Sequence, residues 1–181
     1  MRWGRIYAVV GASGVGKDTV MAALAKARPE LHWVRRVITR PETAGGEPFE
    51  GVSLAAFEAR RNAGEFALSW EAHGLHYGIP VTAHVALSEG RDAMFNGSRA
   101  MLREAQTAFP GMQVLHITAD AAVRAARLAA RGRETPDEIA RRIARTTPPV
   151  PSGLSVTEID NSCPLERSVA ACLAVLDLET A

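Results

Sequence analysis

The chain has 181 residues, of which 47% are hydrophobic and 23% are charged, and its formal net charge is +1. This composition excludes a generally disordered chain, and the length suits one domain. The near-neutral charge argues against nucleic acid or membrane as partners. The cysteines lie in no metal or redox spacing, and no apolar run is long enough to cross a membrane, which predicts a cytoplasmic protein.

The first quarter of the chain predicts a strand, a glycine-rich turn and a helix. An apolar run over 6–10 ends at Gly11 and indicates a buried strand, and the alanine- and leucine-rich segment 19–27 indicates a helix. Residues 34–39 are typical of a second strand. Residues 41–52, which contain glycine, proline and acids, are typical of an exposed loop.

The middle of the chain combines a helix with a hairpin. Ser53 is a suitable N-cap for a helix through Ala63. Short strands over 66–70 and 75–77 flank Gly74, which is the pattern of a hairpin. This segment departs from a simple alternation of strands and helices.

The second half of the chain returns to alternating elements. Strands are predicted over 92–96, 112–118 and 155–159, and helices over 80–89, 98–109, 121–130, 135–146 and 165–176. One helix start is strongly marked, because Thr135 can be the N-cap, Pro136 the first helical residue and Glu138 the returning acid of a capping box.

This pattern predicts an α/β fold, with a parallel sheet that has helices on both faces. We predict one domain over 1–181, with a core formed by 1–39 and 78–181. The loop, helix and hairpin form a small inserted acceptor-binding subdomain over about 40–77. The basic helix–loop–helix junction over about 131–147 is predicted to be a helical lid.

A complete G-x-x-x-x-G-K motif follows the first strand and opens the first helix, which is the context of a P-loop. The motif consists of Gly11, Ala12, Ser13, Gly14, Val15, Gly16 and Lys17. Glycines allow successive N–H groups to point at one anion, and the helix N-terminus adds partial positive charge. We expect the motif, with Asp18 and Thr19, to bind ATP, and Lys17 to act in catalysis on the β- and γ-phosphates.

Asp18 stands where a P-loop usually has Ser or Thr, whose hydroxyl binds Mg²⁺. A carboxylate is a hard oxygen ligand that suits Mg²⁺, directly or through water. A first-turn acid also stabilises a helix N-terminus without any metal. The sequence leaves both roles open, so ATP and Mg²⁺ are the predicted cofactors and Asp18 is a candidate metal ligand.

Arginines are concentrated around the predicted lid, and a guanidinium pairs with two phosphate oxygens at once. We expect Arg131 and Arg142 to act in catalysis and Arg133 to contact ATP. A solvated helix face is the preferred interpretation for Arg124, Arg127, Arg141 and Arg145. Arg40 follows a predicted strand and is the main candidate for holding an acceptor phosphate, with a sheet-edge charge as the alternative.

The P-loop and five further segments, in the same order along nearly the whole chain, resemble the guanylate kinase family. These segments are 38–41 (ITRP), 64–66 (GEF), 73–78 (HGLHYG), 127–133 (RLAARGR) and 160–161 (DN). Four features resemble, more narrowly, the ribose 1,5-bisphosphate phosphokinase family. They are Gly-Lys-Asp in the P-loop, 66–70 (FALSW), 72–75 (AHGL) and 96–99 (NGSR).

The resemblance implies a guanylate-kinase-like P-loop fold and ATP-dependent phosphorylation of ribose 1,5-bisphosphate at its 1-phosphate, in phosphonate catabolism. The products would be 5-phosphoribosyl 1-diphosphate and ADP. It also implies that Arg40 and Tyr77 contact the acceptor, a small phosphorylated sugar, in a site with Asn96, Ser98 and Arg99.

Departures from guanylate kinases bear on the acceptor. Leu68 stands where those enzymes carry the glutamate that reads guanine, and Phe49 stands where they carry a base-site tyrosine. A leucine cannot accept hydrogen bonds from guanine, so GMP is a poor fit. The alternatives are a guanylate kinase with altered base contacts and an inactive guanylate-kinase-like module that binds proteins. The P-loop lysine and the lid arginines argue against the module.

Overall fold

The structure is a computed structural model, and it describes residues 2–44, 46–145 and 148–178. Its strands are β1 (Ile6–Gly11), β2 (His32–Trp33), β3 (Arg36–Ile38), β4 (Phe49–Gly51), β5 (Phe66–Ala72), β6 (Leu75–Pro80), β7 (Ala93–Asn96), β8 (Gln113–Thr118) and β9 (Ser155–Asp160). Its helices are α1 (Lys17–Ala27), α2 (Leu54–Asn62), α3 (Thr82–Ser88), α4 (Leu102–Ala108), α5 (Ala121–Ala130), α6 (Pro136–Ala144) and α7 (Leu165–Leu178). Short 3₁₀ turns cover Glu42–Ala44 and Arg99–Met101.

Five parallel strands form the core sheet, in the order β2-β7-β1-β8-β9. Successive side chains of β1 point to opposite faces of the sheet. Tyr7 and Val9 join a buried cluster with α1 and α7, whereas Ile6, Ala8 and Val10 join a second cluster with α3 and α4. A central parallel strand covered on both faces must be apolar throughout, which explains the first apolar run and confirms the predicted α/β class.

Strand β1 is the topological switch point of the core sheet, because β7 lies on one side of it and β8 on the other. In open parallel sheets the ligand crevice forms at the carboxyl ends of the strands at such a point. The P-loop leaves β1 there, and Asn96 ends β7 in register with Val9. Two predicted site elements therefore meet at one edge of the sheet.

A second sheet, in the order β4-β3-β6-β5, lies between β2 and α3 in the chain. The predicted hairpin is confirmed and is longer than expected. His73 and Gly74 at its turn have φ angles of 54° and 71°, which is the left-handed backbone that a tight hairpin turn requires. Helix α2 begins after Ser53, whose hydroxyl accepts a 3.2 Å hydrogen bond from the backbone of Ala56, as predicted.

The strand predicted over 34–39 is confirmed as the shorter β3, which pairs in the second sheet and not in the core sheet. One neighbouring prediction was wrong. The loop predicted to be exposed over 41–52 contains β4, where Phe49 is only 4% exposed. Strand propensity identifies an extended chain but not its partner, and tertiary packing decides exposure.

The helix predicted from Ser98 begins as a 3₁₀ turn and becomes α-helical at Leu102. The capping box that opens α6 is confirmed. The backbone N–H of Thr135 donates to Glu138 Oε2 at 2.7 Å, and the backbone N–H of Glu138 donates to Thr135 Oγ1 at 3.3 Å. Helix α6 contributes no buried residue, and its predicted end at Thr146 lies outside the described residues. None of the described helices has the length and apolarity that crossing a membrane requires.

Candidate active site

A cleft of 730 Å³ is lined by residues from the carboxyl edge of the core sheet, from the second sheet and from the segment predicted to be a lid. Most of the predicted site residues line it. They are Gly11, Ala12, Ser13, Gly14, Gly16, Lys17, Asp18, Arg40, Tyr77, Asn96, Ser98, Arg99, Arg131, Arg133 and Arg142. The structure does not bring Val15 and Thr19 to this lining, because Val15 packs into the core and Thr19 is exposed on α1.

The glycines of the P-loop are required by its shape. Gly14 and Gly16 have φ angles of 83° and 86°, a left-handed conformation that residues with a Cβ rarely adopt. A Cβ on Gly16 would also lie 2.7 Å from Nδ2 of Asn161. The loop therefore curves tightly between β1 and α1, with no side chain at its closest approaches.

Donors from α5 and the end of β9 hold the carbonyl groups of the P-loop. Arg124 Nε donates to Ser13 O at 2.9 Å, and Arg127 Nη1 donates to Val15 O at 3.0 Å. Nδ2 of Asn161 also donates to Val15 O, at 2.7 Å. Arg124 and Arg127 therefore contact the P-loop instead of forming the solvated helix face that we preferred. Sequence reasoning missed these contacts and that of Asn161.

Lys17 and Asp18 open α1 at the base of the cleft. The pKa of Lys17 is lowered to about 8, chiefly by burial and also by the positive charges of Arg36 and Arg99, while Asp18 opposes the shift. Asp18 Oδ1 accepts a 3.0 Å hydrogen bond from Asn96 Nδ2. The cleft thus combines a desolvated lysine with one oriented carboxylate.

The donor set suits a magnesium ion that arrives with a nucleotide. The described residues contain no group of three or more Asp, Glu, His or Cys side chains that could enclose a metal. Mg²⁺ in nucleotide sites typically takes one or two carboxylates, with phosphate oxygens and waters completing its octahedron. Asp18 fits that arrangement, and its Oδ1 is already fixed by Asn96.

Positive charges in the cleft oppose one another. The pKa of Arg36 is lowered to about 10, chiefly by burial. The charge of Arg40 also lowers this pKa, whereas Tyr77 and Asp18 raise it. Burial also lowers the pKa of Arg99, with Arg124 as the repelling neighbour. Partly buried cations that repel one another indicate a site built for a highly charged anion.

The wall contributed by the second sheet is aromatic and basic. Trp70 and Tyr77 are cross-strand partners whose rings stack with centroids 5.2 Å apart and planes inclined by 9°. The guanidinium of Arg36 lies 5.1 Å from the Tyr77 ring centroid and pairs with the carboxylate of Glu47. Arg36, Glu47 and Trp70 were not among the predicted site residues, although Arg36 lies just before Arg40 in a basic stretch.

Leu68, which replaces the guanine-reading glutamate of guanylate kinases, lies next to the cleft wall that the second sheet contributes. Leu68 is 8% exposed and packs in the core, whereas Trp70, which shares its face of β5, lines the cleft. The guanidinium of Arg40 lies 4.4 Å from the ring centroid of Phe49, the residue at the base-site tyrosine position. The wall therefore presents Arg36 and Trp70 to the cleft and no carboxylate from position 68.

Arginines of the segment predicted to be a lid also line the cleft. Arg131 and Arg133 follow α5 and are exposed, and Arg142 on α6 pairs with the carboxylate of Glu134. Arg145 also lines the cleft, whereas Arg141 does not. The interpretation of Arg145 as part of a solvated helix face did not predict this position.

Curated relatives match the chain almost from end to end, although no protein-family model matches it. The ribose 1,5-bisphosphate phosphokinase PhnN of Rhizobium etli is 48% identical over 177 residues, which cover 96% of this chain and 90% of that protein. The enzyme of the same name from Agrobacterium fabrum is 44% identical, with 93% of each chain covered. A bifunctional ribose 1,5-bisphosphokinase-thymidine phosphorylase of Cupriavidus necator is 40% identical over 96% of this chain and 29% of its own length.

Solved structures agree with this assignment at the level of the fold. A guanylate kinase from Anaplasma phagocytophilum matches with a TM-score of 0.73 and 16% identity, covering 98% of this chain and 87% of that one. A sugar kinase from Janibacter matches with a TM-score of 0.56 and 18% identity. At such low identities a structural match establishes the fold alone, and these matches confirm the predicted guanylate-kinase-like architecture.

Proposed function

Since the chain belongs to the ribose 1,5-bisphosphate phosphokinase family, we propose that it transfers the γ-phosphoryl group of ATP to the 1-phosphate of ribose 1,5-bisphosphate. The products are 5-phosphoribosyl 1-diphosphate and ADP. The observation that carries this proposal is the convergence, on one cleft, of Lys17 with arginines from β3, α5 and the lid. Phosphoryl transfer depends mainly on alignment and charge stabilisation, and this cleft offers both.

The reaction requires no general base. A 1-phosphate oxygen, already anionic, attacks the γ-phosphorus, and the bond from that phosphorus to the bridging oxygen breaks, so that ADP takes the electron pair. The carboxylates among the described lining residues are Asp18 and Glu47. Both accept hydrogen bonds from neighbouring side chains, which suits structural and electrostatic roles.

The nucleotide side of the cleft is the P-loop. Its N–H groups and Lys17 would hold the β- and γ-phosphates, and Arg131, Arg133 and Arg142 would approach the transferring group from the lid. Mg²⁺ bound with ATP would be held by Asp18 and would supply charge neutralisation. The bond between Arg142 and Glu134 would have to open or be shared when Arg142 contacts a phosphate.

The acceptor side combines cations with unsatisfied polar atoms. Arg40 and Tyr77 would hold the acceptor, with Asn96, Ser98 and Arg99 beside them. Oδ1 of Asn96 and Nη2 of Arg99 are buried and have no hydrogen-bond partner among the described residues. Sugar hydroxyls can donate to the former and phosphate oxygens can accept from the latter, so a phosphorylated sugar would satisfy both.

A phosphorus NMR time course tests this function directly. The protein is incubated with Mg²⁺ and ATP, and ribose 1,5-bisphosphate and GMP are offered separately. We expect a sugar diphosphate signal in the first tube and no GDP in the second, with the Lys17→Ala variant inactive but folded. GDP formation with the sugar untouched would identify a divergent guanylate kinase instead. Nucleotide binding without turnover of either acceptor would favour a protein-binding module.

A further inference from the structure

Arg36 is held in the cleft wall by one carboxylate and two aromatic rings. It begins strand β3, and its side chain is only 11% exposed. Its partner Glu47 is 3% exposed and lies two residues before Phe49, the residue of β4 that is registered with Arg36. The rings of Tyr77 and Trp70 lie 5.1 and 5.8 Å from its guanidinium carbon. The orientation of this guanidinium is therefore set before any ligand arrives.

The bonding of Arg36 is incomplete without a ligand. A guanidinium carries five N–H donors. Among the described residues Arg36 donates through Nη2 to Glu47, and its Nε is buried with no hydrogen-bond partner. Arg36 lines the same cleft as Lys17, and its charge lowers the pKa of that lysine. One carboxylate cannot use all five donors, so the guanidinium keeps N–H groups for a ligand in the cleft that it lines.

The acceptor of the proposed reaction has two phosphates with different requirements. Each phosphomonoester carries about −1.5 to −2 charges at neutral pH. The reacting phosphate must approach Lys17 and the lid arginines, whereas the other makes and breaks no bond. A group that keeps its bonds is best held by a rigid site that does not change when the lid closes.

From this geometry we infer that Arg36 binds the non-reacting 5-phosphate of the acceptor, while Glu47, Tyr77 and Trp70 hold its guanidinium in place. Glu47 bonds to Nη2, and other N–H groups of this guanidinium, which lines the cleft, would donate to the phosphate oxygens. Arg40, beyond the end of β3, is the candidate for contact with the 1-phosphate. This inference rests on the proposed function and adds to it a site that selects doubly phosphorylated acceptors. Glu47 is a positioning residue in this arrangement.

Two singly phosphorylated ligands separate the phosphate subsites. Ribose 5-phosphate carries the non-reacting group alone, and ribose 1-phosphate carries the reacting group alone. Their inhibition constants against ribose 1,5-bisphosphate are measured for the wild type and for Arg36→Met. We expect the constant for ribose 5-phosphate to rise about 10- to 100-fold, as for a lost charge-assisted hydrogen bond, and that for ribose 1-phosphate to change by less than about threefold.

Loss of one member of a buried ion pair leaves the other uncompensated, so Arg36→Met can fail to fold. The double variant Arg36→Met, Glu47→Met removes both charges together, and such replacements are often tolerated. It should keep the wild-type melting temperature and show the same selective loss of ribose 5-phosphate inhibition. Arg35→Met is a matched control, because Arg35 is 60% exposed and bonds to the backbone of Phe49.

The outcomes distinguish this inference from the function on which it rests. If the wild type converts ribose 1,5-bisphosphate but the double variant weakens both inhibitors equally, or ribose 1-phosphate alone, Arg36 serves the reacting phosphate and the inference is wrong. Unchanged inhibition by both ligands would make the Arg36–Glu47 pair purely structural and would also overturn it. A wild type that does not convert the bisphosphate would overturn the proposed function and the inference together.

Discussion

Nδ2 of Asn96 donates a 3.0 Å hydrogen bond to Oδ1 of Asp18, which joins the end of β7 to the first turn of α1. Asp18 stands where a P-loop usually has a hydroxyl, so this bond orients an unusual carboxylate beside Lys17. Asn96 is only 4% exposed, which keeps its amide in place. The arrangement permits Asp18 to face a nucleotide-borne Mg²⁺ with its other oxygen.

Replacement of Asp18 by Asn tests whether this carboxylate serves the metal. We expect the Mg²⁺ concentration for half-maximal activity to rise about tenfold, because a charged oxygen ligand is lost. Glu166→Gln, a first-turn acid of α7, is the matched control for a helix-dipole effect. An unchanged Mg²⁺ requirement, with about 0.3–1 kcal/mol lost from the free energy of unfolding, would assign Asp18 to the helix N-terminus alone.

The lowered pKa of Lys17, about 8, predicts a pH dependence of ATP capture. In the free enzyme Lys17 loses its charge as pH rises through this value, so kcat/KM for ATP should fall about tenfold per pH unit above it. A bound triphosphate raises the pKa of Lys17, so kcat at saturating ATP should be flatter. A kcat/KM profile that stays level to about pH 9 would contradict this prediction.

The lowered pKa of Lys17 also makes the free energy of unfolding depend on pH. The folded-state pKa of Lys17 lies below its ordinary value of 10.5, so the unfolded chain binds more protons between about pH 8 and that value. The contribution of Lys17 to the free energy of unfolding therefore rises with pH across this window. Comparison with Lys17→Met, which lacks the titrating group, isolates that contribution in denaturation curves.

Arg127 should act on ATP binding without touching the phosphates. Its Nη1 and Nη2 donate to Val15 O at 3.0 Å and to Asn161 O at 2.7 Å. Arg127→Met leaves these partly buried carbonyls with fewer donors, so we expect KM for ATP to rise about tenfold and the melting temperature to fall by several degrees. Arg103→Met, on the exposed face of α4, should change neither quantity. An unchanged KM would show that the P-loop keeps its shape without Arg127.

The capping box of α6 should influence turnover through the lid. Helix α6 buries no residue, so its stability depends on local interactions such as those of Thr135 and Glu138. Thr135→Ala should weaken the helix by about 1 kcal/mol and speed amide hydrogen exchange in α6 about fivefold, with a lower kcat. Thr107→Ala in α4 is the control. Faster exchange with unchanged kcat would separate the order of α6 from catalysis.

Much of the lining of the candidate active site could be predicted because its information is local. Strand β1, the P-loop and α1 are consecutive, and their glycines, lysine and apolar run each have a direct conformational meaning. The hairpin turn at Gly74 and the capping box at Thr135 are likewise set by neighbouring residues. The site residues that face the cleft follow mainly from these motifs and from the family resemblance.

What remained hidden depends on contacts between distant parts of the chain. Arg127 meets Val15 across 112 residues, and no local pattern distinguishes it from a solvated helix arginine. Strand pairing placed β3 in the second sheet and not in the core sheet, and packing buried Glu47 against Arg36. The sequence alone therefore determined the P-loop and the class of chemistry, because short-range backbone geometry encodes them. The tertiary structure decided which arginines serve the cleft, because only the packing of strands and helices fixes which donors remain for a ligand.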